Sequence, residues 1–495
     1  MEQVFNPYLP LTEYVPDGEP HVFDGRIYIY GSHDKSKGKA YCEEDYVTWS
    51  APVDNPKDWR YEGVIYRKNQ DPSNPDGAMQ LWAPDVTKGP DGRYYLYYCF
   101  SFYPEIGVAV SDSPAGPFEY YGHVKYPDNL YGGKTLDDHM PFDPAVLTDD
   151  DGRVYLYWGF APACEKEMEL PKLSEEEIAK LPPTIQKMMN VLKKVKFEIN
   201  SQVAELEPDM ITMKEEPRPL IPSGKTSDGT GFEGHAFFEA SSIRKINGKY
   251  YFVYSSHKSH ELCYAISDKP DRDFKYGGTI ISNGNIGLDG NEKPTYTLSN
   301  NHGGIAKLSD GYYIFYHRCT DGNEFSRQGC ADKIQIEADG SIKQIAMTSC
   351  GLNGGALVGS GTYPAGIACH ITSATTMAHI DFNDPIMAKQ TRMTQEQNVT
   401  FITSVEDGTV LGYKYFDFDS KISELLVEVR GEFGGVIEAT GDLENKELYG
   451  KTTINVNTNS WQLVSIPVDI SGKEKALYLS FTGNGSLDVK SIGFK

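Results

Sequence analysis

A chain of 495 residues exceeds the size at which one hydrophobic core keeps growing, so two or three domains are expected. Its charged fraction of 24% and hydrophobic fraction of 39% are those of a globular protein with ample core material. The formal net charge of −23 argues against a nucleic-acid partner, which needs a basic field.

No run reaches the apolar length of a membrane helix. The opening "MEQVFNPYLP" lacks the basic and apolar regions of a signal peptide. The eight cysteines follow no metal-ligand spacing and read as mostly free, buried thiols. These features point to the cytoplasm, or to a secreted protein whose leader has been removed.

Taken in chain order, one phrase recurs five times: "DGEPHVFDGRIYIYGSHD" from Asp17, "APDVTKGPDGRYYLYYCF" from Ala83, "FDPAVLTDDDGRVYLYWG" from Phe142, "EASSIRKINGKYYFVYSS" from Glu239 and "NHGGIAKLSDGYYIFYHR" from Asn301. Each has a polar head, a short apolar stretch, a Gly turn and a Tyr-rich alternation, which predicts a β-hairpin. The heads Asp17, Asp85, Asp143, Glu239 and His302 lie seven to nine residues before their Gly. They recur at about 60 to 70 residues, except for the 96 between Asp143 and Glu239. The surplus is the charged, helix-forming stretch 165–200, read as a helical insertion over one face.

A hairpin repeated at this interval, with room for two further strands, predicts one blade of a propeller. Five such units place a five-bladed β-propeller over residues 1–350. The first strand of each blade then lines the axis, and the heads converge there. A lone Asp before Gly or Pro is ordinarily a turn residue. Converging carboxylates repel one another, however, and imply proton transfer or a cation. Three of them suit glycoside hydrolysis: one protonated acid, one ionised base and a third that tunes the acid. Carboxyl groups about 6.5–9.5 Å apart admit a water and predict inversion. Trp82 and Phe238 offer a surface on which a sugar ring stacks, and Arg318 closes the fifth phrase as a further substrate-binding candidate. Trp82 serves equally well as wedge packing between blades.

Beyond residue 350, "CGLNGGALVGSGTYPAG" reads as a linker over 351–375. Alternating segments such as "SELLVEVRGE" and "WQLVSIPVDI" then predict a β-sandwich, of jelly-roll type, over 376–495.

The motifs "WAPD", "FDPAVLTDDDGRVYLYWG", "FFEASSIRKINGKYYFVYS" and "NNHGGIAKLSDGYYIFYHR" together resemble glycoside hydrolase family 43 over about residues 5 to 350. The resemblance implies a five-bladed propeller and inverting chemistry. It makes Asp17 the general base, Asp143 the residue that tunes pKa and orients, and Glu239 the general acid. His302 matches a His that in many members sits near a calcium ion.

The first motif departs from the family's Ala-Asp-Pro-Ser, so Glu19 competes with Asp17. Glu233 competes more weakly with Glu239. The activity implied is that of an exo-acting α-L-arabinofuranosidase or β-D-xylosidase on plant cell-wall oligosaccharides, or on aryl glycosides. A β-D-galactofuranosidase and a non-catalytic carbohydrate-binding propeller are the alternatives. The C-terminal region resembles carbohydrate-binding module family 6. It lacks the terminal Asn-x-x-Trp-Phe-like segment, and Trp461 reads as core packing, so a docked, largely structural module is expected.

Overall fold

The computed structural model describes residues 4–136, 140–161, 174–192, 200–374, 390–443 and 447–495. Five antiparallel sheets form the blades of a propeller, and a seven-stranded sheet follows. Blade I comprises β1 (Glu19–Phe23), β2 (Arg26–Tyr30), β3 (Tyr46–Pro52) and β4 (Arg60–Tyr66). Blade II comprises β5 (Leu81–Lys88), β6 (Tyr94–Phe100), β7 (Ile106–Ser111) and β8 (Glu119–His123). Blade III comprises β9 (Ala145–Thr148), β10 (Val154–Trp158), β11 (Asn200–Leu206) and β12 (Arg218–Pro222). Blade IV comprises β13 (Phe237–Ile246), β14 (Lys249–Ser256), β15 (Glu261–Ser267) and β16 (Lys275–Ser282). Blade V has three strands, β17 (Ile305–Leu308), β18 (Gly311–Cys319) and β19 (Arg327–Ile334).

Every repeated phrase is therefore a hairpin joining the first two strands of its blade. The turns follow from their sequences. Asp24-Gly25 (φ 49° and 77°) and Asn247-Gly248 (φ 52° and 80°) put two successive residues in the left-handed region, as the tightest hairpin turns require. The tyrosines pack blade against blade: Tyr30, Tyr46, Tyr66, Tyr94 and Tyr98 fill one cluster between blades I and II. The ring closes at blade V, where the Tyr8 N–H donates to Gly329 O (3.2 Å) and the Ala331 N–H to Asn6 Oδ1 (2.8 Å).

The described part of the 165–200 insertion is helical, with α1 (Glu175–Ile178) and α2 (Pro183–Leu192); its flanks lie outside the described residues. Ile185 and Met188 of α2 pack against the cluster between blades I and II.

The stretch expected to be a linker carries structure of its own. Leu357–Val358, Gly361–Pro364 and His370–Thr372 are short strands of the C-terminal sheet. That sheet is dominated by two long extended runs, Val410–Thr440 and Leu448–Phe494, which fold back so that Val429 pairs with both Gln462 and Val489. Its core is continuous with that of blades IV and V: Val253, Ile314, Leu357, Phe416 and Phe494 belong to one cluster. Residues 375–389 lie outside the described residues.

Candidate active site

Each inner strand starts near the propeller axis, and the residues just before or at its start face a cavity of about 320 Å³. Asp17, Asp143, Glu239 and His302, from blades I, III, IV and V, all line it. Asp17 (φ 54°) and Asp143 (φ 48°) are in the left-handed region, and so is Ala240 (φ 66°) beside Glu239. Such backbone is costly for non-glycine residues and is concentrated at functional sites.

The three carboxyls are buried and unlike one another. Burial would raise the Asp17 pKa, but the Arg327 guanidinium, with Nη1 2.9 Å from Oδ1, together with His317 and His302 outweighs it, and the carboxyl lies well below its ordinary range. Burial and then the Asp17 charge push Glu239 up to about 8. Burial and then the neighbouring Glu239 raise Asp143, against the Ala240 N–H that donates to its Oδ2 (3.0 Å). The site thus holds one carboxyl lowered in pKa in blade I and two raised in blades III and IV.

Arg327 is itself clamped. Asp34 takes its Nε (2.8 Å) and Nη2 (3.1 Å), and the Tyr41 ring lies 4.9 Å from the guanidinium carbon. The Asp17 N–H donates to His317 Nδ1 (3.2 Å), fixing the backbone at the head of blade I. One wall is aromatic. Trp82 meets Phe102 and Phe142 edge-on at 4.7 and 5.2 Å, and Phe160 links Phe142 to Phe238 at 4.8 and 5.4 Å.

The two rival carboxylates lie elsewhere. Glu19 is fully buried deeper on the axis, where Arg244 Nη2 (2.6 Å) and Ser242 Oγ (2.9 Å) donate to it. Glu233 is exposed on a turn, accepting from the Thr230 N–H.

Three expectations are corrected. Asp85 does not reach the cavity: its carboxylate meets His21 Nε2 (2.5 Å) and the Val146 N–H (2.8 Å). It lies seven residues before its Gly; Ala83, nine before, lines the cavity in its place. Arg318 is 1% exposed, donates Nη1 to Ala368 O (2.9 Å) and packs on Tyr296, away from the cavity. Strand alternation turns it from the axis, and Arg327, on the adjacent strand, is the arginine that lines the site. Trp461 is half-buried at the surface, with Arg430 4.5 Å over its ring, and is no part of the core.

Sequence reasoning passed over Arg327, Asp34 and Tyr41. They stand outside the strand-head phrases, apart from Asp34 at the end of the first, and carry no motif.

Comparison with known proteins gives the family. A family model described as glycosyl hydrolases family 43 matches residues 24–200. A xylosidase/arabinosidase of Thermoclostridium stercorarium is 46% identical over 99% of this chain and 98% of its own length. The chain belongs to glycosyl hydrolase family 43. A second xylosidase/arabinosidase, of Bacteroides ovatus, is 32% identical over 68% of this chain and 96% of its own. Among solved structures, the GH43_1 enzyme of Xanthomonas citri complexed with xylose superposes with a TM-score of 0.50 at 27% identity, over 69% of this chain and 93% of that one. This family 43 protein is an O-glycosyl hydrolase of the arabinofuranosidase/xylosidase type.

Proposed function

We propose that this enzyme removes single terminal α-L-arabinofuranosyl or β-D-xylosyl residues from plant cell-wall oligosaccharides, with inversion at the anomeric carbon. The observation that carries the residue assignment is the division of protons among the three carboxyls: Asp17 held ionised by Arg327, Glu239 held protonated to about pH 8.

Glu239 gives its proton to the glycosidic oxygen as the bond from C1 breaks. Asp17 takes a proton from the water that attacks C1 on the opposite face, and Asp143, accepting from the N–H of Ala240 next in the chain to Glu239, orients the acid. Each turnover ends with Asp17 protonated and Glu239 ionised, and exchange with solvent restores both. The cavity is at the small end of ligand sites, about 300–1,000 Å³, which suits one terminal sugar. Its aromatic wall offers a ring face to the sugar's C–H groups.

A calcium ion suits the axis in one respect. His302 Nε2 and Glu19 Oε1 stand 3.7 Å apart, both buried and without a hydrogen-bond partner. Burial holds the His302 pKa down, so the ring is neutral, as a ligand must be. These two residues, with water, would hold the ion, which when bound supplies a fixed positive charge among the carboxylates.

The test is hydrolysis of p-nitrophenyl α-L-arabinofuranoside, β-D-xyloside and β-D-galactofuranoside, and of arabinoxylan oligosaccharides. Release of pentose with inverted anomeric configuration by NMR is expected. Retention, or cleavage of the galactofuranoside alone, would overturn the reading.

A further inference from the structure

The outer part of blade IV holds three metal-ligating side chains that the hydrolytic site does not use. His235 precedes β13, and Glu261 and Cys263 share one face of β15. Their ligand atoms all lie within 4.8 Å of one another. His235 Nδ1 is 2.7 Å from Glu261 Oε1 and 3.8 Å from Cys263 Sγ. Thr279 Oγ1 is 3.5 Å from that sulfur and 3.2 Å from Glu261 Oε2. Bonds of about 2.0–2.3 Å to a tetrahedral ion separate its ligands by about 3.3–3.8 Å. The three longer separations need only small adjustments, and the His235–Glu261 contact opens once the ion replaces the shared proton.

The surroundings resemble the support of a metal centre. Tyr276 stacks on the His235 ring (5.1 Å, 18°), which fixes its plane, and Ser256 Oγ donates to Glu261 Oε1 (2.6 Å). Glu261 and Cys263 are buried, whereas the His235 side chain is 28% exposed and leaves a way in. Lys258 Nζ, 3.7 Å from Glu261 Oε1, is at the rim, its side chain 38% exposed.

We propose that His235, Glu261 and Cys263 bind one borderline-soft divalent cation, zinc by preference, with Thr279 at the fourth position. Thiolate and imidazole select zinc over calcium and magnesium, which take oxygen ligands. On binding, Cys263 releases its S–H proton to solvent, and His235 presents Nδ1 as the Nε2–H tautomer. The two charges of the ion then balance one thiolate and one carboxylate. The site braces the strand that carries the acid, since Phe237 and Glu239 pair with Ser256 and Ser255. It is independent of the hydrolytic reading.

The test titrates the chelator-treated full chain with CoCl2 and ZnCl2. One cobalt per chain should bring up a sulfur-to-metal charge-transfer band in the near ultraviolet, which zinc abolishes. Cys263→Ser should remove the band. His235→Gln, at a partly exposed position, removes a ligand and should weaken zinc binding by more than the roughly 10- to 100-fold that loss of an outer-shell partner costs; it carries the test if the serine variant does not fold. His302→Gln should keep the band, separating this site from the axis. No band in the parent chain, or zinc binding unchanged in His235→Gln, would overturn the proposal.

Discussion

Arg327 Nη1 stands 2.9 Å from Asp17 Oδ1, while the rest of the same guanidinium is gripped by Asp34 at 2.8 and 3.1 Å. Asp17 is therefore held towards its ionised form by a cation that is itself immobilised, with His317 and His302 adding to the effect. Asp34→Asn should loosen the guanidinium. Breaking a buried ion pair costs about 3–5 kcal/mol, so a lower melting temperature is expected together with a fall in kcat/KM. Parent-like values of both would show that Asp34 plays no such part.

Removing the acid should be more damaging to chemistry than to stability. Glu239→Gln keeps the shape of the buried carboxyl but has no proton to give. A kcat loss of about 10²–10⁴-fold is expected from general acid catalysis, largest for substrates with poor leaving groups. Comparing aryl glycosides of graded leaving-group pKa checks this, and a uniform loss would argue against the acid role. Asp17→Asn should lose activity on all of them, and Glu19→Gln should spare the chemistry more than Asp17→Asn does.

The pH profile follows from the same residues. The active form needs Glu239 protonated and Asp17 ionised. Activity should therefore decline as pH rises through about 8, where Glu239 loses its proton. The fall on the acid side belongs to Asp17, held below the ordinary carboxylate range by Arg327, and should come only at low pH. Because the Asp17 charge helps to raise Glu239, Asp17→Asn should move the alkaline limb of the residual activity to lower pH. A limb that stays in place would break that coupling.

The C-terminal sheet should unfold with the propeller. Phe416 is fully buried in the core shared with blades IV and V, 4.9 Å from the Phe494 ring. Replacing a buried Phe by Ala costs about 3–5 kcal/mol. Phe416→Ala should lower the melting temperature of the blade V hydrogen-exchange core as well as that of the sheet. Protection lost in the sheet alone would show two independent units.

The axial cation is open to direct measurement. Exhaustive chelation should lower the melting temperature, calcium should restore it, and His302→Ala should be insensitive to both. Identical melting of chelated and calcium-treated parent enzyme would remove calcium from the axis.

Much of this protein was legible in its residues. The five phrases encode hairpins locally, through Gly turns and Tyr alternation, and their repetition dictates a closed ring whose strand heads meet. Asp17, Asp143, Glu239 and His302 follow from that symmetry, and the order of the motifs identifies the family. Symmetry could not show that Asp85 stops short of the cavity, because a spacing two residues shorter than in blades III, IV and V sets its side chain deeper along the strand. Nor could it separate Arg318 from Arg327: successive strand residues point to opposite faces, and only the pairing of blade V with its neighbours reveals which face meets the axis. The division of labour among the carboxyls was also decided in three dimensions. Asp17 and Glu239 are chemically near-equivalent as sequence, and their proton affinities part because Arg327 and His317, brought from the far end of the propeller by ring closure, lie against Asp17, whereas burial and the Asp17 charge raise Glu239.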